Sequence, residues 1–230
     1  MRKNKIFVAC DSTNVSKIKR IISKTQNSKI KVGYKFGLEF LNSKGGRPFL
    51  SKLKNKIKFV DLKLHDIPNT VKKSIQGLSL LPIKMLTVHT SGGIHMMTAA
   101  MEAVSGKGIK VFGVTVLTSL DDKDTNAIFK RTSSKQVEAM IDEAVSAGID
   151  GVVCSPHELK YIKKRESLLS ITPGIRLEDS NDDQKRVMTP KEAIDLGADY
   201  LVIGRPITSS ENIGESLNKI FQSIQWVKKS

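Results

Sequence analysis

The chain contains few cysteine and aromatic residues, which are abundant in particular classes of protein. It contains 2 cysteines, and aromatic residues make up only 5% of it. Cys10 and Cys154 lie far apart and each follows an apolar run, so we expect buried, reduced thiols. Cys154 and His157 lack further ligands at a recognisable metal-site spacing, and we predict no metal. No apolar run is long enough for a membrane span or a secretory signal, which favours a cytoplasmic protein without a membrane partner.

Acidic residues are also scarce relative to basic ones. Lys and Arg total 38 against 23 Asp and Glu, for a net charge of +15. Such an excess could attract nucleic acid, a membrane surface or an anionic small molecule. The lysines are scattered along the chain, and there are few aromatic residues to stack on bases. We therefore interpret most of them as a solvated surface that attracts phosphate esters, and expect no nucleic-acid partner.

Strand-like and helical patterns alternate along the chain, and no linker rich in Pro, Gly or Ser divides it. We predict strands near 5–11, 30–35, 57–63, 84–89, 109–117, 149–153, 168–172 and 200–203, and helices near 14–25, 47–55, 70–80, 93–104, 133–147, 156–164, 190–197 and 211–226. Eight strands alternating with eight helices predict an α/β fold, a closed (β/α)₈ TIM barrel, rather than a doubly wound sheet. We expect one domain over residues 1–230.

The third predicted strand ends in three ionisable residues. Asp61 and Lys63 are two positions apart and should project to the same face, and Asp66 follows in a turn. Pro68 should stop the strand, and a helical pattern begins at Thr70. Inward-facing charges at the carboxyl end of a barrel strand are typical of an active site. The alternative is a surface ion pair, worth about 0–1 kcal/mol.

Polar residues also follow other predicted strands. Asp11 ends the first, although the residues after it could simply cap a helix, and Lys35 ends the second. His89 ends the fourth, where a substrate contact and a structural role are both open. Thr118 and Ser119 follow the fifth and offer hydroxyl groups at the barrel mouth. These strand ends should meet at one end of the barrel.

Glycine and arginine occur together after both of the last two predicted strands. Barrels of this kind often bind phosphate at these two positions. Glycine lets backbone N–H groups approach the anion, and the planar guanidinium matches phosphate oxygens, although arginines are also common surface charges. A polar loop over 177–188 lies between the two segments and could close over a ligand. The candidate phosphate-binding pairs are Gly174 with Arg176 and Gly204 with Arg205, and the loop between them carries Gln184.

The segment Phe59 to Thr70 resembles the signature of the orotidine 5′-phosphate decarboxylase family. The similarity extends over most of the chain, and its motifs occur in a consistent order. They are Ala9-Cys10-Asp11, Lys35, Val114 to Ser119, Pro173 to Arg176, Asp183 to Pro190 and Val202 to Ile207.

The resemblance implies decarboxylation of orotidine 5′-monophosphate to UMP in de novo pyrimidine biosynthesis, without a cofactor. It also implies a homodimer with shared active sites. Lys35, Asp61, Lys63 and Asp66 would form the catalytic charge network, in which Lys63 protonates C6. The implied substrate contacts are Asp11 to the ribose, Thr118 to the pyrimidine, and Gln184, Gly204 and Arg205 to the phosphate, with Arg176 beside them and with Asp66, Ile67 and Thr70 supplied by the partner subunit.

The residue types themselves suit such chemistry. The sequence has no pyridoxal-phosphate lysine context and no thiamine motif, whereas a fixed lysine can stabilise a carbanion and protonate it. Sugar-phosphate decarboxylases and aldolases that use Mg²⁺ share the Asp-x-Lys-x-x-Asp pattern, and this alternative stays open. The Ile67 to Thr70 segment and the Gln184 loop favour the orotidylate enzymes. A basic nucleic-acid-binding module would leave the inward charges unexplained.

Overall fold

The computed structural model describes residues 6–26, 31–165, 167–177 and 188–225. Eight parallel strands follow one another around a closed barrel, and the first pairs with the last. The predicted (β/α)₈ barrel is confirmed, and predicted strand bounds agree to within about three residues. The strands are β1 Ile6–Ala9, β2 Gly33–Gly37, β3 Lys58–Leu64, β4 Met85–His89, β5 Lys110–Val114, β6 Gly151–Val153, β7 Leu169–Thr172 and β8 Tyr200–Ile203.

Helices surround the strands. They are α1 Val15–Thr25, α2 Leu38–Leu41, α3 Gly46–Lys52, α4 Pro68–Leu78, α5 Gly93–Val104, α6 Asp122–Phe129, α7 Ser133–Ser146, α8 Leu159–Ile162, α9 Pro190–Asp195, α10 Arg205–Thr208 and α11 Ile213–Gln225, with 3₁₀ turns at Thr90–Gly92 and Pro156–Glu158. The sequence analysis did not predict α2 and α10, which have four residues each, or α6, whose eight residues are mostly polar. No helix among the described residues is long and apolar enough to cross a membrane.

Helix α4 begins earlier than the sequence pattern indicated. Its first residue is Pro68, preceded by Ile67 at the cap, whereas we predicted the helix from Thr70. Proline suits the first helical position because its φ angle is already helical and the N–H it lacks would have no partner inside the helix. The prediction treated Pro68 only as the residue that stops the strand.

The interior of the barrel holds an apolar layer that we call the barrel floor. It consists of Phe7, Phe59, Met85, Phe112, Ile171 and Val202, all buried. Side chains two positions apart on a strand share a face, so Asp61 and Thr87 continue the interior faces on which Phe59 and Met85 lie. The floor thus closes the barrel beneath these polar residues.

The opposite faces of the strands pack against the helices. Val60 and Leu86, for example, are buried in the cluster that also contains Ile75 of α4. The cysteines are buried and free, as predicted. Burial raises the pKa of both the Cys10 and Cys154 thiols. They therefore stay protonated at neutral pH and are poor nucleophiles.

Removing an aromatic ring from the floor should destabilise the barrel. The Phe7 ring packs edge-on against Phe59 at 5.5 Å and against Tyr200 at 5.8 Å between ring centroids. We expect Phe7→Ala to lower the free energy of unfolding by about 3–5 kcal/mol, measured by chemical denaturation. Ile128→Ala is the control, because that side chain is 60% exposed. It should change stability by less than about 0.5 kcal/mol, and equal losses in the two variants would contradict this account of the floor.

Candidate active site

Four charged side chains form a continuous row of ion pairs at the carboxyl end of the barrel. Lys35 Nζ lies 2.6 Å from Asp11 Oδ2 and 3.3 Å from Asp61 Oδ2. Lys63 Nζ lies 3.0 Å from each oxygen of Asp61. The order is therefore Asp11, Lys35, Asp61, Lys63, with alternating sign. We call this set the charge cluster.

Strand register explains why residues distant in sequence meet here. Ala9 pairs with Lys35, and Gly37 pairs with Asp61. The backbone N–H of Gly37 donates to Asp11 Oδ1 at 2.7 Å, which fixes the carboxylate. A Cβ at position 37 would lie 2.4 Å from that oxygen. Only glycine therefore fits beside Asp11 without moving it.

The middle of the charge cluster is shielded from solvent. The Lys35 and Asp61 side chains are only 10% and 12% exposed. Burial alone would lower the pKa of Lys35, but Asp61 and Asp11 together raise it above 10.5. Burial alone would likewise raise the pKa of Asp61, but Lys35, Lys63 and a hydrogen bond from Thr87 bring it below 3.8. Both groups are therefore charged at neutral pH.

The two ends of the charge cluster are open. The Asp11 and Lys63 side chains are 35% and 33% exposed. A ligand entering from the barrel mouth can therefore reach a carboxylate at one end and an ammonium group at the other. Within the described ranges, no three His, Cys, Asp or Glu side chains are grouped as metal ligands would be.

The backbone at Lys63 departs from a regular strand. Its φ angle is +50°, in the left-handed region, and the β3–β4 register shifts between Val60 and Leu64. The Lys63 N–H donates to Thr87 Oγ1 at 2.8 Å, and the same hydroxyl donates to Asp61 Oδ1 at 3.0 Å. Asp61 and Lys63 do share a side of the strand, as predicted. Sequence analysis missed Thr87, although its place two residues before His89 puts it on the interior face.

His89 has structural partners beside this cluster. Its ring stacks on His65 with 5.4 Å between centroids, and the Ser91 N–H donates to Nδ1 at 3.3 Å. Burial, followed by the neighbouring His65 and Lys63, lowers the pKa of His89 to about 4. The ring is therefore neutral at neutral pH and can accept from Ser91 at the start of the 3₁₀ turn.

The turn after β3 lies outside the charge cluster. Asp66, Ile67 and Thr70 are all exposed, and residue Ile67 is 66% exposed. Asp66 Oδ1 accepts a hydrogen bond from the Ile67 N–H at 2.7 Å. In the part of the chain that the structure describes, Asp66 does not join Lys35, Asp61 and Lys63. The resemblance places Asp66 in the partner subunit's site, so its part in the network stays a prediction. Within one chain, Asp11 is the fourth member of the cluster.

The arginines after β7 and β8 differ in their environment. Arg176 is 7% exposed. Its backbone N–H donates to the Met188 carbonyl at 3.0 Å, and this hydrogen bond joins the two ends of the predicted loop. Arg205 is exposed and begins α10, with Gly204 at the cap. Thr118 lies beyond β5 and is partly exposed. Gln184 lies outside the described residues.

Comparison with known proteins identifies the family. The model of the "Orotidine 5′-phosphate decarboxylase / HUMPS family" matches residues 4–220. The chain is 42% identical over 226 residues to an orotidine 5′-phosphate decarboxylase from Wolbachia pipientis subsp. Culex pipiens (strain wPip), covering 96% of this chain and 99% of that protein. This chain belongs to the orotidine 5′-phosphate decarboxylase / HUMPS family.

Other relatives also match this chain over nearly its whole length. The enzyme from Ehrlichia canis (strain Jake) is 43% identical, with 96% of this chain and 98% of that protein covered. The crystal structure of orotidine 5′-phosphate decarboxylase from Lactobacillus acidophilus superimposes with a TM-score of 0.82 at 32% identity, covering 96% of this chain and 99% of that one. The similarity therefore includes the barrel together with all the strand ends described above.

Removing the charge of Asp61 should destabilise the protein in a pH-dependent way. Because its folded-state pKa lies below 3.8, its stabilising contribution is present above that pH and is lost as pH falls through the folded-state value. Asp61→Asn should lower the free energy of unfolding at neutral pH by roughly 3–5 kcal/mol, because Lys35 and Lys63 lose their shared partner. Denaturation at a series of pH values should show this difference shrinking in acid.

Asp195→Asn is the matched control for that measurement. Asp195 pairs with Lys191 at 2.8 Å on the surface of α9, where the two side chains are 37% and 51% exposed. An exposed pair contributes only about 0–1 kcal/mol. A pH-independent loss in Asp61→Asn, or an equal loss in the control, would contradict the proposed coupling of Asp61 to the two lysines.

Proposed function

We propose that this protein decarboxylates orotidine 5′-monophosphate to UMP, the decarboxylation step of pyrimidine biosynthesis, and that residues 1–230 act as a single catalytic domain. The observation that carries the proposal is the position of Lys63. Its ammonium group lies 3.0 Å from both Asp61 oxygens at an open end of the charge cluster. A fixed, charged lysine reachable from the barrel mouth is what a carbanion-forming reaction needs.

The chemistry follows from the substrate. When the bond between C6 and the carboxylate breaks, CO₂ leaves and the electron pair remains on C6 in the plane of the ring. That carbanion has little conjugation, so the uncatalysed barrier is very high. The Lys63 ammonium would stabilise the developing charge and then transfer a proton to C6, giving UMP. Lys63 would regain its proton from solvent, to which its side chain is partly open.

The other members of the cluster would keep Lys63 in place. Asp61 holds the ammonium group with both carboxylate oxygens, and Lys35 on its far side offsets the remaining negative charge. Because Lys35 and Asp61 are largely buried, water screens this arrangement little. Asp11, at the other open end, would contact the ribose. No cofactor takes part in the proposed reaction.

The remaining substrate contacts would bind parts of the nucleotide that do not react. Arg205 is exposed at the carboxyl end of β8, where barrels of this kind often hold phosphate. Gly204, Arg205 and Gln184 would bind the phosphate, and Arg176 would flank it. Thr118 would contact the pyrimidine. Binding at the phosphate would supply free energy for orienting the ring against Lys63.

The active site would be completed by a second copy of the chain. Asp66, Ile67 and Thr70 are exposed in one subunit and lie outside its charge cluster. Ile67 is 66% exposed beside Asp66, so both residues are accessible to a second copy of the chain. In the homodimer that we propose, this turn reaches the partner's cluster and adds Asp66 to its network.

The first experiment is a metal-free assay. Purified protein in EDTA should convert orotidine 5′-monophosphate to UMP, followed by absorbance and product analysis. Lys63→Ala should lower kcat by about 10⁴-fold or more, because both the charge and the proton donor are lost. Lys191→Ala, at an exposed pair, should keep wild-type activity.

Two outcomes would count against the proposal. Near-normal kcat in folded Lys63→Ala would contradict the assigned role of the lysine. A requirement for added Mg²⁺, with a sugar phosphate as substrate, would favour the metal-dependent branch of the same family. That branch shares the Asp-x-Lys-x-x-Asp pattern of Asp61, Lys63 and Asp66.

Mixed dimers test the shared site. Mixing Lys63→Ala with Asp66→Ala protein should place both substitutions in one site of each hybrid and none in the other. After random exchange, about a quarter of wild-type activity should return. The matched control is Lys63→Ala with Lys35→Ala, since both residues belong to one subunit's cluster and hybrids gain no intact site. No recovery with Asp66→Ala, once exchange is demonstrated, would exclude the shared arrangement.

A further inference from the structure

We propose that Thr87 is a positioning residue for the decarboxylation, because its hydroxyl joins the Lys63 backbone to the Asp61 carboxylate. The inference rests on the proposed function and assigns a role to a residue of β4 that carries no charge. Thr87 is fully buried at 0% exposed, on the interior strand face that continues from Met85 of the barrel floor. It therefore acts through the charged residues above it rather than on substrate.

The donor and acceptor roles of this hydroxyl are fixed. The Lys63 N–H, 2.8 Å away, can only donate, so the Thr87 oxygen must accept from it. The ionised Asp61 carboxylate, 3.0 Å away, can only accept, so the single hydroxyl proton must point at Oδ1. Threonine is also restricted about its first side-chain torsion. The bridge thus has one arrangement.

The bridge supports an unfavourable backbone conformation. Residues with a Cβ seldom adopt a φ angle such as the +50° of Lys63. The register of β3 against β4 is also interrupted between Val60 and Leu64, so the regular ladder does not hold this segment. The Thr87 hydroxyl takes the hydrogen bond of the Lys63 N–H there. Without it, the peptide could relax towards an ordinary strand and redirect the lysine side chain.

The same bridge orients the carboxylate. Asp61 Oδ1 accepts from both Thr87 and Lys63 Nζ, while Oδ2 lies between Lys35 and Lys63. The groups facing Asp61 are therefore Lys35 from β2, Lys63 from β3 and Thr87 from β4, with Asp11 reaching it through Lys35. Thr87 is the neutral member, and its hydrogen bond to Oδ1 leaves Oδ2 facing Lys35, while Lys63 contacts both oxygens.

The test compares three variants. Thr87→Val removes the hydroxyl and keeps the shape, so kcat should fall about 10- to 100-fold while KM changes little. Thr87→Ser restores a hydroxyl and should recover most of kcat. The control is Thr90→Val, because Thr90 is also 0% exposed and its hydroxyl donates to the Val114 carbonyl at 2.8 Å, away from the cluster. It should lose stability but keep kcat.

The pH profile separates positioning from simple destabilisation. In Thr87→Val, Asp61 loses one of the hydrogen bonds that lower its pKa, so the acid limb of kcat/KM should move to higher pH. Thr90→Val should keep the acid limb of the kcat/KM profile at its wild-type pH. Equal kcat and an equal acid limb in Thr87→Val and Thr90→Val would overturn the inference. So would a Thr87→Ser variant as slow as Thr87→Val, since packing of the methyl group would then be the cause.

One measurement needs neither turnover nor a folded variant. In wild-type protein the Lys63 amide should exchange its hydrogen slowly, because it donates to a buried hydroxyl. Fast exchange of that amide in otherwise protected β3 would overturn the bridge. Failure of wild-type protein to decarboxylate orotidine 5′-monophosphate would instead overturn the proposed function. A wild-type enzyme that turns over while Thr87→Val matches Thr90→Val would overturn the Thr87 role alone.

Discussion

The buried contact between Lys35 and Asp61 is the constraint on which the rest of the site depends. Neither charge could stay in the barrel interior alone, because desolvation would shift its pKa until it became neutral. Together they stay ionised, and each side extends to an opposite charge, Asp11 beyond Lys35 and Lys63 beyond Asp61. The barrel floor shields this chain of charges from below. Lys63, the lysine that we propose to be reactive, is therefore held by electrostatic interactions that begin two strands away.

Much of the fold could be predicted from sequence because it follows from local patterns. Eight short apolar runs separated by helical periods indicate a closed parallel barrel, and the strand ends then identify polar residues such as Asp11, Lys35 and Lys63. The helices α2 and α10 were not predicted because four residues are too few to show an apolar period, and α6 was not predicted because most of its eight residues are polar. Pro68 was predicted only to end the strand, because the residue pattern does not show whether a proline lies just before a helix or is its first residue.

The details of the site depend on register and torsion angles, which sequence patterns do not give. Membership of Asp11 in the charge cluster follows from the pairing of Ala9 with Lys35 and from the Gly37 N–H. Thr87 looks like an ordinary β-branched strand residue, and its role becomes visible only with the left-handed backbone of Lys63 beside it. Asp66, which the resemblance assigns to the partner subunit's site, is exposed in its own subunit and accepts a hydrogen bond from the Ile67 N–H.

The alternating signs of the charge cluster have a consequence for how substrate arrives. Within one chain, two carboxylates and two ammonium groups balance in sign, so the cluster itself adds no net charge. For the anionic nucleotide that we propose as substrate, attraction from bulk solution would then come from the basic residues that give the chain its net charge of +15. Added salt should therefore slow the encounter with substrate while leaving the shielded chemical step almost untouched. In the proposed reaction, attraction of the substrate and the chemical step would thus depend on separate sets of charges.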